Sequence, residues 1–194
     1  LISNPATEVP PHYYNFLKVY LQCLSTLGGL QEVKTPFVIK VRCDEKYPQL
    51  DTVIKTLNKY PDRIVSHEVF WRPDRAHKFH PSDHLIAGRT EYLLNGFFSV
   101  KDMCERKKPI PPFGPTKDSL KVITKEKHEG APEQLICAGI LEAKGAKVDC
   151  TRSKEIMLGN YALAHLKYMG DYSVRSNMHD ITYTPQNPID QWHL

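Results

Sequence analysis

The stretch RTEYLLNGFF, residues 89–98, decides how the middle of this chain is assembled. It reads as a strand, placed between a polar loop at 72–88 and a short helix, VKDMCERKK. Ser99 and Asp102 supply an S-x-x-D start signal for that helix, and its Lys/Arg-rich end complements the negative end of the helix dipole. Upstream, TPFVIKVRC alternates: Phe37, Ile39, Val41 and Cys43 point one way, with Lys40 and Arg42 opposite, as in a half-buried strand. YPQLDTVIKTLNKYP follows with Leu50, Val53, Ile54 and Leu57 at helical spacing and Pro61 beyond the end, and RIVSHEVFW alternates again. Downstream, KPIPPFGPTKD is a stiff connector and SLKVITKEK reads as a further strand.

In order, residues 35–127 give strand, helix, strand, strand, helix, strand. That order resembles the ferredoxin-like βαββαβ arrangement, an antiparallel sheet with both helices on one face. The expected class is therefore α+β. To it are added an N-terminal helix, C-terminal helices and an extended tail. PPHYYNFLKVYLQCLSTLGG has prolines before and glycines after, with Leu17, Leu21 and Leu24 beside a second stripe of Phe16, Tyr20, Cys23 and Leu27. So wide an apolar surface implies burial on two sides or against a partner. PEQLICAGILEAKGAKVDC reads as a helix ended by Gly145 and then a short strand. SKEIMLGNYALAHLKYMG reads as one helix with Met157, Tyr161, Ala164 and Tyr168 in a stripe. The expected organisation is a core over 1–130, a helical appendage over 131–170 and an extended arm over 171–194, in which Tyr172, Tyr183 and Trp192 are aromatic anchors for a partner surface.

With 194 residues the chain is long enough to bury a core without disulfide or metal staples. Its five cysteines, Cys23, Cys43, Cys104, Cys137 and Cys150, are odd in number and include no CxxC pair, which points to a reducing compartment. No apolar run is long enough to span a bilayer. LISNPATEVPP lacks the basic start and apolar core of a signal peptide, and is read as a processed N-terminus or simply a boundary. A formal charge of +4 is compatible with a polyanionic partner without requiring one.

The densest polar cluster is FHPSDHLIAG, residues 79–88. Ser82-Asp83-His84 resembles the closing signature of the endonuclease/exonuclease/phosphatase superfamily, which implies Asp and His acting on a phosphate beside a divalent metal. Only 81 residues precede it, however, and no companion Asn or Glu motif is present. His77, His80 and His84 are spaced three and four apart, and with Asp83, His67 and Asp74 they are the candidate metal ligands, although Pro81 interrupts any helix through them. As a plain structure the segment is a long hairpin loop with Pro-Asp and Pro-Ser-Asp turns. Lone signals elsewhere, Glu142-Ala143-Lys144 and His165, carry less, and no cofactor motif is found, so no cofactor is expected.

Arg72, Arg75 and Lys78 interleave with Trp71, and Arg106, Lys107 and Lys108 form a second basic group. Guanidinium forks bind phosphates and aromatic planes stack on bases. These seven residues are the expected nucleic-acid contacts. Three readings result. The favoured one is a non-catalytic subunit of a ribonucleoprotein, ribosomal in type, cytoplasmic or in the mitochondrial matrix, with RNA and other subunits as partners. The others are a metal- or histidine-dependent phosphate enzyme, and an accessory subunit of a protein-only organelle assembly.

Overall fold

The computed structural model describes residues 14–68, 71, 78–106, 132–165, 168–169 and 173–174. The elements run α1 (Tyr14–Leu30), β1 (Phe37–Val41), β2 (Glu45–Lys46), α2 (Asp51–Lys59), β3 (Ile64–Ser66), β4 (Leu85–Arg89), α3 (Thr90–Arg106), α4 (Pro132–Ala143), a 3-10 turn (Cys150–Arg152), α5 (Ser153–Asn160), β5 (Tyr161–Leu163) and β6 (Ser173–Val174). Helices and strands are thus mixed, with a four-stranded mixed sheet and five α-helices among the described residues. The sheet order is β1-β4-β3-β5, and β2 pairs separately with β6. β4 is antiparallel to both β1 and β3, whereas β3 and β5 are parallel. β1, β3 and β5 consequently point the same way.

The ferredoxin-like arrangement is not confirmed, and the first departure from expectation is at 89–98, where the strand lies earlier, at Leu85–Arg89. Only Arg89 is extended, and from Thr90 the chain is helical to Arg106. Leu93, Phe97, Val100 and Met103 are all buried and recur every three or four residues, which is a helix period rather than a strand period. Ser99 and Asp102 are therefore mid-helix, and Asp102 pairs with Arg106 one turn on at 2.8 Å. The strand expected at 119–127 lies outside the described residues. A second difference comes at Asn160. Its side-chain amide donates to the Ile156 carbonyl at 2.9 Å, the helix stops, and the next residues join the sheet. The stripe through Tyr161 and Ala164 misleads because Tyr161 packs on one sheet face and Ala162 and Ala164 on the other.

Both faces of the sheet are covered, which explains why the two central strands are buried almost throughout. Ile64, Ile86, Tyr161 and Val38 face α1, α3 and α4. Val65, Leu85, Ala87, Ala162, Phe37 and Ile39 face α2, through Val53 and Leu57. Residues 132–165 belong to this same body: Leu135 to Leu141 fill the helical layer and β5 extends the sheet. Pro132 opens α4, and Gly145, with φ of +79°, closes it as the Ala146 N–H reaches back to the Leu141 carbonyl at 2.9 Å.

The helical layer is tightest where α3 crosses α4. A Cβ added at Gly96 would lie 2.7 Å from the Ile140 Cα, and one added at Gly139 would lie 2.7 Å from the Gly96 carbonyl oxygen. These are backbone obstacles, which cannot rotate aside as a side chain can. Gly28 in α1 meets nothing within 4 Å. Gly96→Ala and Gly139→Ala should each cost about 1–3 kcal/mol, or more where the helices cannot separate. Gly28→Ala should be neutral or stabilising by up to about 1 kcal/mol. Urea unfolding of the three variants measures the contrast.

Candidate functional site

The common direction of β1, β3 and β5 brings their carboxyl ends to one rim of the sheet, where β4 begins. In open sheets with helices on both faces, ligands bind at the carboxyl ends of parallel strands. Polar side chains from several separate segments meet at this rim. Lys40 and the turn at 42–47 come from the end of β1, His67 and Glu68 follow β3, Asp83 and His84 precede β4, and His165 follows β5.

Glu45 is at the centre, with its side chain shielded from solvent. One carboxylate oxygen takes the Nδ1 of His84 and lies 3.5 Å from Arg42 Nε. The other accepts the Tyr47 hydroxyl at 2.6 Å. Arg42 is also bound in bidentate fashion by Asp44, at 2.9 Å through each nitrogen, and this contact raises its pKa. The Tyr47 oxygen is in turn 2.9 Å from His67 Nε2. A phenol has one proton, and the carboxylate is its stronger acceptor, so His67 carries the Nε2 hydrogen and donates it to Tyr47. Burial pushes the His67 pKa down to about 3, with His84 and Lys40 adding to the effect, so this ring is neutral.

Asp83 is held from two directions and faces His84 on a third. Its Oδ2 accepts Gln22 Nε2 of α1 at 2.5 Å, its backbone carbonyl accepts Lys40 Nζ at 2.5 Å, and its Oδ1 faces His84 Nε2 at 3.9 Å. Burial lowers the Lys40 pKa, and the nearby Asp83 carboxylate opposes that shift. Ser66 and Ser82 tie the two strands together below: Ser66 Oγ donates to the Ser82 carbonyl at 2.9 Å. Beside this group, buried Glu68 lies 3.6 Å from His165 Nδ1.

The histidine-rich segment lies in the connection between the antiparallel strands β3 and β4. The three-histidine face does not form. No helix runs through 80–84, and His80 and His84 meet different carboxylates, His80 at 3.7 Å from Glu133 of α4 and His84 at Glu45. His77 lies outside the described residues. Among the described residues no group of three or more His, Cys, Asp or Glu side chains is arranged to hold a metal ion. Asp83, His84 and His67 do come together. Glu45, Tyr47, Lys40 and Gln22 were not foreseen, because they sit in unrelated segments and no local motif joins them.

The expected nucleic-acid residues are placed differently. Trp71 is 6% exposed and packs edge-on against Tyr161 at 5.7 Å, so its ring is part of the core and not a stacking platform. The Lys78 carbonyl is anchored by Gln134 Nε2 at 2.7 Å, and Arg106 pairs with Asp102 on its own helix. Arg72, Arg75, Lys107 and Lys108 lie outside the described residues, as do the tail aromatics Tyr172, Tyr183 and Trp192. No described helix is long and apolar enough to cross a membrane.

Comparison with known proteins gives one family. The family model described as WavE lipopolysaccharide synthesis matches residues 12–164, which include every rim segment up to β5. No significant similarity to a curated protein or to a solved structure was found. The match overturns the ribonucleoprotein reading, with its ribosomal, RNA-binding and mitochondrial attributes, because lipopolysaccharide synthesis is a process of the bacterial envelope. The expected mitochondrial-matrix location is overturned by the same match. The chain belongs to the WavE lipopolysaccharide synthesis family.

Proposed function

We propose that this chain catalyses a group transfer onto a hydroxyl of a saccharide during lipopolysaccharide assembly, and that the reaction takes place at the rim around Glu45 and His84. The observation that carries this reading is the contact between the buried Glu45 carboxylate and His84 Nδ1. A carboxylate at Nδ1 fixes the tautomer in which Nδ1 bears the hydrogen and Nε2 presents the lone pair, the arrangement of a general base. Family membership supports a saccharide as the acceptor, since lipopolysaccharide grows by additions to sugar hydroxyls.

In the proposed step the acceptor hydroxyl gives its proton to His84 Nε2 as its oxygen attacks the donor. The bond from donor to leaving group breaks, and the leaving group departs with the electron pair. Glu45 stabilises the imidazolium that forms. Tyr47 and Arg42 hold Glu45 in turn, so the carboxylate cannot swing away from the ring. His67 supports Tyr47 as a neutral donor and does not compete for the proton.

A strain whose lipopolysaccharide depends on this chain tests the proposal. His84→Gln should truncate the lipopolysaccharide seen on a gel as deletion of the chain does. Any residual transfer rate should fall by roughly a hundredfold or more, the scale of a lost general base. Glu45→Gln should give the same direction with a smaller loss. Full-length lipopolysaccharide from a folded His84→Gln protein would place the chemistry elsewhere.

The neutral His67 also has a consequence for stability. Its pKa in the folded protein, about 3, lies below the ordinary histidine value of about 6.5. Between those values the unfolded chain binds a proton that the folded chain refuses, so stability falls as pH drops from about 6.5 toward 3. His67→Gln keeps an N–H for Tyr47 and removes the titration. Its urea midpoint should decline less between pH 7 and pH 5 than that of the parent protein. Equal declines would show that His67 titrates normally.

A further inference from the structure

The distance between His84 Nε2 and Asp83 Oδ1, 3.9 Å, is too long for a hydrogen bond and short enough to be bridged by two adjacent hydroxyls. We infer that Asp83 is a specificity-determining residue that reads a vicinal diol on the acceptor saccharide, one hydroxyl going to His84 Nε2 and its neighbour to the Asp83 carboxylate. This rests on the reading of the rim as a saccharide site and names the kind of sugar it takes.

Three observations carry it. The two oxygens of a vicinal diol in a gauche arrangement are about 2.8 Å apart, so hydrogen bonds of ordinary length at each end close a four-atom path across the 3.9 Å gap. Each hydroxyl then donates its single proton to its own acceptor, whereas one hydroxyl alone could not serve both. Asp83 is also held ready to accept: Gln22 occupies Oδ2, Lys40 pins its backbone carbonyl, and Oδ1 is the atom turned toward His84. Lys40 and Gln22 come from β1 and α1, elements already locked into the core, so the carboxylate has a set direction before any ligand arrives. A buried acceptor that is charged and positioned in this way discriminates strongly against an analogue lacking the matching hydroxyl.

Periodate cleaves vicinal diols and leaves isolated hydroxyls intact, which supplies the probe. Core oligosaccharide released from lipopolysaccharide is used in its native form and after periodate oxidation and borohydride reduction. Each is titrated into the full chain, into Asp83→Asn and into His84→Gln, with binding followed by saturation-transfer NMR or calorimetry and folding checked by thermal melting. The parent protein should bind the treated saccharide about tenfold more weakly than the native one, the scale of a lost hydrogen bond to a charged group. Asp83→Asn should weaken native binding about as much, yet leave binding of the treated saccharide unchanged: its oxygen is drawn to the Gln22 amide and its NH2, which cannot accept, replaces Oδ1, so the two changes delete the same contact. Equal binding of both saccharides by the parent, or losses that simply add, would overturn the diol contact while native binding that depends on His84 keeps the site itself. Native saccharide that does not bind, or binds regardless of His84, would overturn the saccharide reading of the rim and the diol inference with it.

Discussion

The close approach of α3 and α4 at Gly96 and Gly139 determines where everything else can sit. With no Cβ on either residue, the Ile140 backbone settles against Gly96 and the Val100 side chain fits beside Gly139. That contact fixes α4 on α3. α3 leaves β4 without an intervening loop, so the sheet and the helical layer are tied at the same place. α1 packs on α3 and brings Gln22 to Asp83 at the rim. A pair of glycines in the core thereby sets the position of a carboxylate at the sheet edge.

The rim concentrates groups that are costly to remove from water. Glu45 is buried, Lys40 is held with its ammonium pKa lowered, and His67 is kept neutral. Each carries compensation: Glu45 is met by His84, Tyr47 and Arg42, and Lys40 by the Asp83 carbonyl. Replacing such a network by apolar side chains of similar shape would often be neutral or stabilising. A fold that needed only a core would have little use for it, which is consistent with the chemistry proposed for this edge.

Much of the architecture could be read directly from residue spacing. α1, β1 and α2 announce themselves through prolines, glycines and clean periodicity, and the alternation of Phe37 and Ile39 against Lys40 survives in the folded sheet. Spacing and structure part where one pattern serves two structures. Leu93, Phe97 and Val100 keep a helical period straight through Gly96, which looks like a breaker until Ile140 is seen to need its space. Tyr161 and Ala164 fit a helix stripe, yet alternate across a sheet. The site was half visible: Asp83, His84 and His67 drew attention by composition, but Glu45 and Tyr47 are ordinary in their own segment. They gain meaning only when β1 and β4 lie side by side. Trp71 misled in the opposite sense, because an aromatic among arginines suggested an exposed platform where the fold required a core residue.

The two-residue pairing of β2 with β6 sets Glu45 opposite Val174, well over a hundred residues further along the chain. A ribosome adds Val174 long after it has added Glu45. Until Val174 is in place, the short strand that carries Glu45 lacks its backbone partner. This pairing closes only after all four strands of the main sheet have been made, so a fragment ending before Ser173 would keep those strands and lack the β2–β6 pair.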